Sequence, residues 1–177
     1  MGMKRTQLYD PSRHGDDRGI HKYGFNADID TSYELVWEKG GSITLPSSAG
    51  TASINSASGN SGCKIMVEGL DANYAEVSEE LTLDASGDAT STTEFLRINR
   101  AYNSGSTDLS GDVNITVGGN TIAFVGSGHQ NTLQMVYTVP AGFSAYIVQL
   151  TGGVSEKEKN AEMRVREKSE TGVYRTR

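Results

Sequence analysis

Cys63-Lys-Ile-Met-Val-Glu68 places Cys63, Ile65 and Val67 on one face of a strand. Lys64 and Glu68 fall on the other, with Met66 between them, because side chains alternate with period two. Gly69-Leu-Asp-Ala-Asn-Tyr74 then supplies turn residues, Gly for positive φ and Asp and Asn for local side-chain-to-backbone bonds. Val77, Leu81 and Leu83 share the inner parity of a second strand. Glu76, Ser78, Glu80 and Thr82 take the outer one, and Glu79 is the exception. Asp84-Ala-Ser-Gly-Asp88 turns the chain again, and Phe95-Leu-Arg-Ile-Asn-Arg-Ala-Tyr102 follows as a third strand. The expectation is a three-stranded antiparallel meander with one face buried and one wet.

Upstream of this stretch, Tyr33-Glu-Leu-Val-Trp37 reads as a strand broken by Gly40-Gly41. Ser42 to Leu45 reads as a short strand ended by Pro46, and Thr51-Ala-Ser-Ile-Asn55 as an edge strand. Downstream, Val113, Ile115 and Val117 alternate up to Gly118-Gly-Asn120 and turn into Thr121-Ile-Ala-Phe-Val125, a hairpin. A second hairpin is expected from Leu133, Met135, Tyr137 and Val139, through Pro140-Ala-Gly142, to Tyr146, Val148 and Leu150. Ala161 to Arg166 and Thr171 to Arg175 alternate with mostly charged outer residues. A helix over 155–168 is the rival there, since Glu and Lys are strong helix formers, but the spacing of Met163 and Val165 favours a strand. Eight to ten strands at this spacing make an all-β fold, an antiparallel β-sandwich or jelly roll. Residues 1–32, poor in apolar side chains, form an extended N-terminal arm, and 33–177 a β-sandwich domain with a C-terminal hairpin. Two inner faces use nearly all the apolar residues and leave little for a hydrophobic ligand pocket.

Charge is unevenly spread along the 177 residues. Residues 1–24 carry five basic and three acidic groups, and 155–177 seven basic and five acidic. The body between them holds four basic and fourteen acidic groups. Such a body repels phosphates and argues against nucleic acid as a partner. The mildly basic ends suit either an acidic protein surface or plain solvation. A single cysteine allows no internal disulfide and no thiolate metal cluster. No apolar run reaches membrane-spanning length, and the first residues lack a signal peptide's hydrophobic region. A soluble protein made in a cytoplasm, with no membrane partner, is expected.

Motifs for chemistry are weak. His14, His21 and His129 are far apart, and neither His14-Gly-Asp-Asp17 nor Asp28-Ile-Asp30 completes a calcium loop. Gly59-Asn-Ser-Gly-Cys63 lacks the strand-to-helix context of a nucleophile elbow. Cys63 with His129 is a conceivable dyad, but the alternation with Ile65 and Val67 favours a buried, inert thiol. Gly126-Ser-Gly128 precedes no helix that would bind phosphate, and Asn114-Ile-Thr116 matches a glycosylation sequon without a secretory signal. No catalytic, cofactor or metal residue is therefore assigned, and no cofactor is expected. Tyr9, Tyr23, Phe25, Tyr33 and Trp37 could stack on sugars, or anchor the arm onto the body or a neighbouring subunit, the role favoured here.

His21-Lys-Tyr-Gly-Phe-Asn-Ala-Asp-Ile-Asp-Thr-Ser-Tyr-Glu-Leu-Val-Trp37 resembles the opening of a family of small virion proteins of tailed phages, notably those of cyanobacteria and marine bacteria. Gly69-Leu-Asp-Ala-Asn-Tyr74, Phe95-Leu-Arg-Ile-Asn-Arg100, Tyr137-Thr-Val-Pro-Ala-Gly142, Met163-Arg-Val-Arg166 and Gly172-Val-Tyr-Arg175 are similar to its later landmarks. The resemblance covers about residues 21–176 and lies in the ordered set, with no single diagnostic motif. It implies a structural component of the particle, with no catalytic residues to carry over. The expected role is a capsid decoration (cement) protein on the outer head surface, not an enzyme. It would bind the major capsid protein and itself as a homotrimer. Subunit contacts are expected at Tyr23, Phe25, Tyr33 and Trp37, and at Arg164, Arg166 and Tyr174. The alternative is a tail, neck or fibre-adaptor protein with a capacity for glycan.

Overall fold

Asx turns and one buried alternation per strand shape the core. The computed structural model describes residues 19–29, 32–155, 162–168 and 174–176. Seven strands form two antiparallel sheets: β1 Gly50–Ser56, β2 Lys64–Leu70, β3 Glu76–Thr82, β4 Ala89–Phe95, β5 Arg97–Asn103, β6 Val113–Val117 and β7 Asn120–Val125. One sheet has the order β4-β1-β6-β7 and the other β3-β2-β5. Ile54, Ile115, Val117 and Val125 of the first meet Ile65, Val67, Leu81, Ile98 and Ala101 of the second in one buried cluster. Inward faces of two sheets sharing a core make a β-sandwich. A separate short hairpin pairs β8 Arg166–Lys168 with β9 Tyr174–Thr176. No α-helix occurs among the described residues, including 162–168, where the strand begins only at Arg166. The described chain falls in two compact units, one up to Ser144 and one from Ala145 on.

The alternations of the opening stretch hold, with Cys63, Ile65, Val67, Leu81 and Leu83 all buried. The expected meander does not. β2 is central, flanked by β3 and β5, while residues 89–95 form an additional strand, β4, in the opposite sheet. Leu96 is a bend between β4 and β5, so the run from Phe95 to Tyr102 is split between the two sheets. β4 escapes recognition because Ala-Thr-Ser-Thr-Thr-Glu-Phe has only one large apolar residue. Its β-branched threonines still suit a pleated sheet.

Two turns use one device. Asp71 Oδ1 accepts from the amides of Asn73 (2.8 Å) and Ala75 (2.9 Å), while Tyr74 N donates to Asp71 O (3.0 Å). Asp84 Oδ1 likewise accepts from Ser86 (2.8 Å) and Asp88 (3.0 Å), and Gly87 N donates to Asp84 O (3.0 Å). These bonds hold the Asp84 carboxyl below its usual range. The left-handed position is Gly87 (φ 87°) in one turn and Tyr74 (φ 60°) in the other. Gly69, expected to serve the first turn, lies instead inside β2. A Cβ there would run into the Arg97 carbonyl and the Phe95 ring, so close approach is what requires glycine.

Other expectations change as well. β1 is an interior strand, not an edge. Tyr33 to Trp37 and Ser42 to Leu45 form no strand, and Trp37 makes only an isolated bridge with Gln134. Gly40 and Gly41, at φ 73° and 71°, turn the chain immediately after it. The β6–β7 hairpin is present as read. The second expected hairpin is absent: Pro140 to Phe143 does turn, but nothing from Ala141 to Ser155 is in a strand.

Candidate protein-binding surface

Residues 131–138 run beside β5 and invert their sequence pattern. Leu133, Tyr137 and Val139 are half-buried and Met135 is exposed, whereas Thr132 and Gln134 are buried. Polar side chains face β5 because they replace ladder bonds. Thr132 N donates to Ala101 O (2.8 Å), and its hydroxyl accepts from Ala101 N (3.3 Å). Asn99 exchanges two bonds with the Thr138 backbone (2.8 and 2.9 Å), and Gln134 Nε2 donates to Ile98 O (3.3 Å). Gln134 Oε1 is buried without a partner.

Residues 35–38 pack outside this segment. Met135 N donates to Val36 O (2.8 Å) and Glu38 N to Leu133 O (3.1 Å). Trp37 is 2% exposed and donates from Nε1 to Gly41 O (3.3 Å). Expected as a subunit contact, Trp37 is packed inside its own chain. Glu38 accepts from Gly126 N (3.1 Å) and bonds His129 Nδ1 (2.6 Å). His129 thus belongs to Glu38, while Cys63 is buried with Sγ near Thr107 O (3.9 Å). Each of the two has a different partner.

The arm lies on top. Phe25 N donates to Leu133 O (3.4 Å), its ring tilts over His129 at 6.1 Å, and Asn26 Nδ2 donates to Glu34 (3.0 Å). Lys22 Nζ donates to Asn99 O, and burial, with Arg100 nearby, lowers its pKa to about 8. The arm therefore has specific anchors, yet Ile20, Tyr23, Phe25 and Ile29 stay 46–69% exposed. Tyr33, at 63%, joins them. A cleft of about 250 Å³ opens between residues 26–28 and Glu34, Glu38 and Lys39. Glu34 and Glu38 turn their oxygens to the chain's own donors, Asn26, Gly41, Gly126 and His129.

Of the expected contact residues, Tyr23, Phe25 and Tyr33 are each exposed. Arg164 and Arg166 are exposed in the other unit, where Arg164 Nε donates to Glu162 (2.6 Å). Tyr174 stands opposite Lys168 in β9, and Tyr9 lies outside the described residues. Sequence reading missed a second exposed apolar run. Phe143, Tyr146, Ile147, Val148, Leu150 and Val154 are 41–79% exposed, and the absence of any Asp, Glu, Lys or Arg between Asp112 and Glu156 was the signal available. Comparison with protein-family models, curated proteins and solved structures finds no match.

Proposed function

We propose that this chain is a structural component of a tailed-phage particle, a decoration protein that binds the outer head and bridges capsomers as a homotrimer with the major capsid protein as partner. The observation that carries the proposal is the two sets of exposed apolar side chains, Ile20, Tyr23, Phe25, Ile29 and Tyr33 in one and Phe143, Tyr146, Ile147, Val148, Leu150 and Val154 in the other. Bridging needs reaching segments and complementary surfaces, and aromatic residues are the usual anchors at such contacts. The ordered landmarks from His21 to Arg175 supply the link to virion proteins.

Quantifying the protein against the major capsid protein on a stained gel of purified virions tests this. A ratio matching the capsomer lattice is expected. A few copies per particle would replace the proposal with a tail, neck or fibre-adaptor role, and absence from the particle would overturn it.

A further inference from the structure

We propose that Arg97 and Tyr74, at one end of the β3-β2-β5 sheet, form a receptor for an acidic side chain of a protein partner. The site adds a point of recognition to the contacts proposed above and rests on neither the particle role nor self-association.

Charge balance singles out Arg97. Between residues 25 and 154 the chain has fourteen acidic groups and four basic ones, Lys39, Lys64, Arg97 and Arg100. Lys64 meets Glu80 at 2.8 Å, Arg100 meets Glu68 at 3.9 Å, and Lys39 is exposed on Asn114. Arg97 is half-buried, yet no carboxylate among the described residues lies within ion-pair distance of it. A half-buried charge gives up part of its hydration, and a counter-ion offsets that loss.

The orientation of the guanidinium decides which ion fits. Nη1 donates to Pro46 O (2.9 Å) and to Leu96 O (2.7 Å), which fixes the plane of the group. Nε and Nη2 have no partner among the described residues. Both reach solvent, because Gln134 Oε1 is the one buried, unpartnered side-chain nitrogen or oxygen among those residues. Together Nε and Nη2 form an edge that grips the two oxygens of a carboxylate side by side. The acidic body disfavours the many phosphates of a nucleic acid, whereas a carboxylate on a protein surface brings a single charge.

Tyr74 supplies an aromatic wall. Its ring centroid lies 5.9 Å from Arg97 Cζ, and the residue is 38% exposed. At φ 60° it occupies the left-handed position that Gly87 fills in the sister turn. A bulky residue at that position is strained, and such strain clusters at ligand-binding sites. The Tyr74 carbonyl accepts from Ala141 N (2.9 Å), which ties the 140–143 turn to the same end of the sheet. Tyrosine and arginine are the side chains that most often dominate protein contacts.

Nitrogen-15 NMR of the full-length chain provides the test. The probe is acetyl-phenylalanyl-glutamate amide, with its glutamine counterpart and inorganic phosphate as controls. The glutamate peptide should shift the Arg97 Nε–H and the Tyr74 amide saturably, with a Kd on the order of 1 mM. The glutamine peptide should give no saturable shift at either position. No saturable shift with the glutamate peptide, equal binding of the glutamine peptide, or tighter binding of phosphate would overturn the carboxylate receptor. Two variants separate recognition from folding. Arg97→Lys keeps the charge but loses the paired donors, and should weaken the glutamate peptide about tenfold. Tyr74→Asn installs a side chain that accepts a left-handed φ, so the thermal transition should stay at or above wild type while binding weakens about threefold. Wild-type affinity in either variant would refute the site. Both measurements use purified protein without particles, so their failure is distinct from failure of the virion role.

Discussion

Glu79 stitches the open flank of the sandwich, and removing it should loosen that flank measurably. The residue sits on the inner parity of β3 between Val77 and Leu81, where the alternation calls for an apolar side chain. Its carboxylate instead crosses to β4, accepting from the amides of Thr92 (3.0 and 3.1 Å) and Thr93 (2.7 Å) and from the Thr92 hydroxyl (3.2 Å). Those amides need an acceptor because β4 bulges. Thr51 pairs with Glu94 and Ser53 with Thr90, which leaves Ser91 to Thr93 opposite Ala52 alone. Ala52 N is satisfied by Ser91 Oγ (2.7 Å), and Glu79 serves the other two.

Hydrogen bonds to a charged group contribute about 1.5–3 kcal/mol each when protected. Glu79 is partly exposed, so water replaces much of the loss and Glu79→Ala should cost about 2 kcal/mol in total. That corresponds to a fall in Tm of about 4–8 °C for a chain of this size. Burial pushes the Glu79 carboxyl up, but the bonds from Thr92 and Thr93 outweigh it and the net shift is downward from 4.5. A folded pKa below the unfolded one means a contribution fully present above 4.5 and lost as pH falls through the folded value. Urea unfolding of wild type and variant should therefore differ most near about pH 7 and converge as the pH falls below 4.5 and through the lowered folded value. Glu79→Gln, retaining one acceptor oxygen, should fall between them without pH dependence in the difference. Equal stability of Glu79→Ala and wild type at neutral pH, or a gap that persists undiminished in acid, would refute the stitch.

Lys22 carries the opposite linkage: its folded pKa, about 8 against 10.5, makes wild type gain stability as pH rises between those values, and Lys22→Met should abolish that gain in urea midpoints measured across the interval. Two buried amides should separate sharply in chemical denaturation. Asn60 accepts from Ser110 N, Ser110 Oγ and Gly111 N and donates to Ser56 Oγ and Gly111 O, so Asn60→Ala should cost about 3 kcal/mol or more by leaving several groups unpaired. Gln134→Met removes an unpartnered oxygen and one 3.3 Å bond, and should change stability by less than about 1 kcal/mol.

The fold class was legible in sequence because it depends on local alternation, which Cys63-Ile65-Val67 and Val113-Ile115-Val117 state plainly. Partner choice is not local. Nothing in Phe95 to Tyr102 reveals that Leu96 bends and sends the next strand to the far side of β2. Leu133 to Val139 misled because its alternation is real but its buried face is the polar one, selected by unpaired carbonyls and amides on β5. Among the aromatics, Tyr23, Phe25 and Tyr33 stayed at the surface while Trp37 went inside. The Gly40–Gly41 turn folds the chain back over the indole, a tertiary outcome that composition does not encode.

The layers beside β5 are held less firmly with each step outward. β2 and β5 share a ladder of paired backbone. Residues 131–138 attach to β5 by one backbone bond at Thr132 and then through side chains at Asn99 and Gln134. Residues 35–38 attach to that segment by bonds of 2.8 and 3.1 Å, and the arm to it by one of 3.4 Å at Phe25. Local opening costs least where buried contacts are few and hydrogen bonds are exposed. The outermost layer leaves Ile20, Tyr23, Phe25 and Ile29 at the surface. A partner that covers them adds apolar contact where the chain's own bonds are sparsest. In the proposed decoration role such a partner would add apolar contact to a segment that its own chain already holds at Lys22, Phe25 and Asn26.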